Sequence, residues 1–95
     1  MTGNGLPDHD LVLAHEHCTK NRAELMVSEI CGCFYCLAVF APAEIVSWID
    51  KRNAPLQSAL CPKCGIDSVI GSRSGYPITI DFMRRMHQRW FETQK

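Results

Sequence analysis

A chain of 95 residues with 46% hydrophobic content and a formal net charge of zero is expected to form one packed domain. It is too apolar for a disordered linker and not basic enough for a dedicated nucleic-acid module. No apolar run approaches the roughly 18 residues of a membrane span. Met1 to Asp10 lacks the basic and apolar segments of a secretory signal. The six cysteines are therefore expected as thiols or thiolates in a reducing cytoplasm; in a secreted chain they would read as three disulfides.

Taken in chain order, Met1 to Pro7 carries two glycines and an asparagine and reads as a disordered terminus. Asp8 or Asp10 caps a helix expected to run to about Ser28. Leu11, Ala14, Cys18, Leu25 and Met26 form its apolar stripe, interrupted by Arg22. A charge in that stripe needs a partner, either a backbone carbonyl or an acid such as Glu44. Residues 29–34 and 37–40 flank the first cysteine pair as a small hairpin. Pro42 and Glu44 suit the first turn of a short inserted helix. Its stripe is Ile45, Trp48 and Ile49, and it stops by Lys51 or Arg52, before the break at Asn53-Ala54-Pro55. Residues 56–60 approach the second pair, and residues 66–70 leave it with β-branched side chains at 66, 69 and 70. Gly71 to Gly75 is loop-like. Thr79 caps a final helix over residues 80–93, with Phe82, Met83, Met86 and Trp90 buried and Arg84, Arg85, Gln88 and Arg89 pointing elsewhere.

The chemistry lies in Cys33-x2-Cys36 and Cys61-x2-Cys64. Two such pairs supply the four soft thiolates of one closed, tetrahedral, structural Zn²⁺ site, whereas a lone pair would suit a redox dithiol equally well. Gly65 follows the second pair, where a tight thiolate-bearing turn needs a residue able to take positive φ. Cys31 makes the first knuckle Cys-x-Cys-x2-Cys and is an alternative ligand, but equal spacing favours Cys33, Cys36, Cys61 and Cys64. A core of this size is marginal by itself. Zinc binding, about 10–16 kcal/mol in small finger peptides, exceeds the net stability of many domains.

Because β-branched residues follow Gly65 with no immediate helix, the fold class expected is α+β. It is a small zinc-ribbon-like, two-knuckle β core with flanking N- and C-terminal helices and a short inserted helix. His15, His17 and Cys18 do not make a second metal site, since only His15 and Cys18 share a helix face; His15 is expected to hydrogen-bond at the helix surface. A four-thiolate zinc has no open position for substrate, and no nucleophile–base–orienter order emerges from Asp67, Ser68, Ser74, Tyr76 and His87, so catalytic residues are not expected. His87 reads as a surface residue. Small thiol or redox chemistry at Cys18 or Cys31, or hydrolysis, is a remote alternative.

The neutral total hides an asymmetry: residues 1–50 carry a net charge of −5 and residues 51–95 carry +5. The two halves are expected to face each other within one fold or across a homodimer. Otherwise Arg73, Ser74 and Tyr76 in the 71–76 loop, with Arg84, Arg85 and Arg89 on the last helix, form a candidate surface for phosphate, carboxylate or nucleic acid.

The strings Glu29-Ile-Cys-Gly-Cys-Phe-Tyr-Cys-Leu-Ala-Val-Phe, Trp48-Ile-Asp, Ala59-Leu-Cys-Pro-Lys-Cys-Gly-Ile-Asp-Ser-Val-Ile-Gly and Gly75-Tyr-Pro-Ile-Thr resemble a family of short bacterial proteins labelled simply as cytoplasmic proteins. The resemblance spans about residues 15–92 and is most specific from Ala59 to Thr79. It implies a bacterial cytoplasmic zinc-binding protein using the four cysteines named above. Closed metal, small size and neutral charge together point to a non-enzymatic module for a protein partner, with nucleic-acid binding as the alternative.

Overall fold

Lys20 takes a left-handed backbone conformation, with φ 50°, and the long N-terminal helix expected from the apolar stripe breaks beside it. In the computed structural model, which describes residues 8–49 and 57–92, helix α1 covers Asp8–His15 and passes through a 3-10 turn, Glu16–Cys18. A separate short helix α2, Arg22–Met26, follows. The helix starts at Asp8, so Asp10 lies within its first turn and is not its cap. Leu11, Ala14, Cys18 and Leu25 are buried as expected, but Met26 is 48% exposed.

The break is compensated by long-range hydrogen bonds. Asn21, 2% exposed, donates from Nδ2 to His17 O (2.9 Å) and Val69 O (2.8 Å), and its Oδ1 accepts Ala59 N–H (3.2 Å). Lys20 N–H donates to Ser58 Oγ at 2.7 Å. A continuous helix would turn these groups away from the strands. Each buried polar group that would lose its partner costs roughly 1–3 kcal/mol, more than the few tenths separating most residues in helix propensity.

Strand β1 (Cys31–Cys33) pairs antiparallel with β2 (Val39–Phe40) as the first hairpin. The inserted helix is shorter than expected, a single 3-10 turn at Pro42–Glu44. Trp48–Ile49 is a strand, β3, paired antiparallel with β4 (Ser58–Ala59), and Leu60 N–H extends the ladder to Ser47 O at 3.0 Å. Residues 45–49 include two isoleucines, a valine and a tryptophan, which fit a pleated surface as well as a helical stripe; the partner strand decides. Ile45 is buried, whereas Ile49 is 40% exposed. The expectations for Met1 to Pro7 and for Asn53-Ala54-Pro55 lie outside the described residues.

After the second knuckle, β5 (Val69–Gly71) joins the other side of β1, giving the order β2-β1-β5. The two strands flanking the second knuckle thus pair with different partners. Pleating sends Cys31, Cys33 and Val69 to one face, where Leu25, Phe40, Ile45, Ala59 and Cys61 complete a cluster. Ile70 on the other face packs with Phe34, Leu11, Ala14 and Cys18 beneath α3 (Ile80–Phe91), which contributes Phe82, Met83 and Met86. Gly71 ends β5 beneath α2; a Cβ there would run into Ser28 and Leu25. Thr79 Oγ1 accepts Phe82 N–H at 3.1 Å, capping α3 as expected. Trp90 Nε1–H donates to Leu11 O at 3.3 Å, tying α3 to α1. The outcome is an α+β, zinc-ribbon-like fold with small antiparallel sheets and helices on the flanks. Among the described residues no helix is long and apolar enough to cross a membrane.

Candidate metal centre

The two cysteine pairs occupy turns of the same design. In the first, Leu37 N–H donates to Cys33 O (2.8 Å), Cys33 N–H to Ala38 O (2.9 Å) and Tyr35 N–H to Cys33 Sγ (3.4 Å). In the second, Gly65 N–H donates to Cys61 O (2.9 Å), Cys61 N–H to Ile66 O (2.9 Å) and Lys63 N–H to Cys61 Sγ (3.3 Å). The residue after each second cysteine is left-handed: Leu37 with φ 69°, Gly65 with φ 83°. This turn places both sulfurs of a Cys-x2-Cys pair on its inner side and aims amide hydrogens at the first one.

The four Sγ atoms of Cys33, Cys36, Cys61 and Cys64 lie within 4.8 Å of one another. Cys33 and Cys64 are 3.7 Å apart, as are Cys36 and Cys61. A tetrahedral metal with metal–sulfur bonds of about 2.3 Å requires sulfur–sulfur edges of about 3.8 Å. A disulfide would bring two of them to about 2.05 Å, and all six cysteines are free. The set can hold a metal ion. Cys31 is not in it: on β1 it sits one pleat repeat back from Cys33, fully buried among apolar residues.

Burial pushes the Cys33 thiol up despite a 3.2 Å contact with the buried Ser68 hydroxyl, and pushes Cys64 up to about 12 with help from the Cys33 thiol. For Cys61 burial acts upward, but amide hydrogens of Lys63 and Cys64 and the neighbouring thiols outweigh it and hold the group down. Four thiolates this close repel one another, so complete ionisation needs a cation at their centre. Cys36 is exposed and Cys64 half-buried, leaving one side of the cluster open to solvent.

No family model matches the chain, and no curated protein or solved structure matches it significantly.

Among the described residues no other three His, Cys, Asp or Glu donors converge on a common point. Among the described residues His15 packs against rings: its own lies 4.0 Å from that of Trp90 and 5.8 Å from that of Phe34, and burial pushes its pKa down. His17 Nδ1 pairs with Glu24 at 3.0 Å. Cys18 and Cys31 are both buried, and burial raises each thiol to about 11, the opposite of an activated nucleophile. His87 is not a free surface group: Nδ1 lies 3.1 Å from Phe34 O in the first knuckle and Nε2 lies 3.0 Å from Glu92.

The 71–76 loop, the candidate anion surface, spends its polar groups on the fold. Ser72 N–H donates to Ile30 O, Arg73 N–H to Ser28 Oγ, Gly75 N–H to Ser72 O and Tyr76 N–H to Ser74 Oγ. Ser72 Oγ accepts Glu29 N–H, and Ser74 Oγ donates to Gly71 O at 2.7 Å. The Arg73 side chain is exposed, while Tyr76 stacks on Phe82 at 5.8 Å. On α3, Arg84 lies 3.9 Å from Asp81, Arg89 lies over Trp90 at 4.5 Å, and Arg85 is half-buried with Nη1 sealed from solvent. Lys63 reaches across from the basic half to Glu44 at 3.5 Å.

Glu44 is consequently not the partner of Arg22. The Arg22 guanidinium lies 4.8 Å over the Trp48 ring and donates to Gln57 Oε1. The sequence marked Arg22 as a charge in need of a partner but did not point to Trp48 or Gln57, and it gave no role to Asn21 or to Ser68. At Arg22 the available signal was a charge within an apolar stripe, which marks a buried partner without naming it; Asn21 lies between Lys20 and Arg22 and Ser68 follows Asp67, so neither stands out locally.

Proposed function

We propose that this protein is a small cytoplasmic zinc-binding module whose single Zn²⁺, held by Cys33, Cys36, Cys61 and Cys64, is structural. The sulfur–sulfur distances of 3.7 Å carry the reading, because they suit a tetrahedral thiolate site built around an ion of zinc's size. Four soft sulfur donors favour zinc over the hard cations magnesium and calcium. With every position filled by protein the ion has no place for substrate water, so its role is to join the two knuckles and not to catalyse a reaction. The resemblance to short bacterial cytoplasmic proteins supplies the compartment and the setting.

The module's task in this reading is to present a rigid surface to a protein partner. Met26, Val27, Ile30 and Val39 are 38–60% exposed around the start of β1 and on β2, one of the two outer strands of its sheet. Apolar side chains and an open strand edge are features that associating surfaces use. The test begins with untagged protein: one zinc per chain is expected, and chelation should abolish the cooperative melt. Zinc-loaded protein at native expression should then retain a specific protein partner in a pull-down. A chelated sample with an unaltered melt would refute the metal's role, and an empty pull-down would refute the interaction.

A further inference from the structure

A cleft of about 480 Å³ lies between the start of α2 and the β3–β4 sheet, lined by Arg22, Val46, Ser47, Trp48, Gln57 and Leu60. Arg22 is held there from two sides. Its guanidinium stacks on Trp48 at 4.8 Å, Nη1 donates to Gln57 Oε1, and its main-chain N–H donates to Gln57 O at 3.1 Å. Gln57 is 5% exposed, so this anchor is firm. A guanidinium offers five N–H donors, and the anchor uses one of them. Of the described acids near it in the chain fold, Glu24 is engaged with His17, and Glu44 with Lys63 and Ala41 N–H. Among the described residues no carboxylate pairs with Arg22.

An arginine oriented by stacking and by a buried amide, with donors left over beside a cleft, is a pre-organised anion receptor. We propose that this cleft binds a carboxylate, gripped in bidentate fashion by Arg22, with an adjoining apolar part against Val46 and Leu60. A carboxylate fits better than a phosphate because, among the described residues, the lining holds one cation, Arg22, which matches a single negative charge. The apolar wall is present because Val46 is 81% exposed and Leu60 is half-buried. This site is separate from the metal cluster and does not rest on the protein-partner reading.

The test is an NMR titration of the zinc-loaded full chain, following the Trp48 indole and Arg22 Nε–H signals. Benzoate should shift both saturably in the millimolar range. Benzamide, its neutral counterpart, should bind at least about tenfold more weakly, a difference of roughly 1.4 kcal/mol, and inorganic phosphate should not saturate. A peptide ending in a free leucine carboxylate, compared with benzoate, distinguishes a chain terminus from a small acid: tighter binding assigns the former, equal binding the latter. Arg22→Gln should lose the benzoate response. Val46→Glu alters an exposed position and offers a tethered carboxylate; it should suppress benzoate binding while leaving signals remote from the cleft unchanged. Absence of a saturable shift in the wild-type protein, phosphate binding more tightly than benzoate, or undiminished benzoate binding by Val46→Glu would each overturn the proposal.

Discussion

Replacing Asn21 with alanine removes the one side chain that hydrogen-bonds to β4, to β5 and to the end of the 3-10 turn at once. His17 is half-buried and its bond to Asn21 only partly so, so water can replace the lost donor and its share is small. Val69 O and Ala59 N–H have no such recourse, since both residues are fully buried. Each stranded group costs roughly 1–3 kcal/mol, so the two together give an expected loss of about 4 kcal/mol. Typical domains have about 5–15 kcal/mol in total, which leaves the variant folded but close to its limit. Urea unfolding at a fixed, buffered free-zinc concentration measures the difference, because free metal otherwise shifts apparent stability by mass action. For the proposed zinc-bound form, affinity for the metal should fall as well, since Ala59 leads directly into the Cys61 knuckle and folding and metal binding share one free energy. A loss below about 1 kcal/mol, the net worth of a single ordinary hydrogen bond, would refute the argument that Asn21 holds the two sheets together.

Three further expectations concern the knuckles and the remaining thiols. Gly65→Ala should cost about 1–2 kcal/mol in the same unfolding assay, because φ is 83° there and no atom lies within 4 Å of the added methyl; the effect is backbone strain alone. Zinc-loaded protein should show no fast-reacting cysteine towards iodoacetamide, with Cys18 and Cys31 labelling slowly because both are buried and raised to about 11. The linkage has a definite sign. Both thiols have a higher pKa folded than unfolded, so their contribution is fully present below the ordinary thiol pKa of about 9 and is lost as pH rises through about 11. Unfolding midpoints that stayed level or rose across that window would contradict it.

The amino-acid sequence by itself determined the four cysteines that cluster at the candidate metal centre, the first hairpin and the capped C-terminal helix. Each is written in neighbouring residues: a Cys-x2-Cys spacing closes its own turn, Thr79 caps the amide of Phe82 three residues on, and the α3 stripe buries Phe82, Met83 and Met86. The tertiary structure decided the rest. Only Val69 and Ala59 require Asn21 to leave a helix, only Ala59 makes a strand of Trp48, and only Trp48 and Gln57 explain Arg22. Likewise the 71–75 segment looks like an open anion loop until Ser28, Glu29 and Ile30 take up its amides and hydroxyls. The physical reason is one of magnitude. Local preferences differ by a few tenths of a kcal/mol per residue, whereas satisfying a buried polar group is worth about 1–3 kcal/mol, and its partner lies tens of residues away.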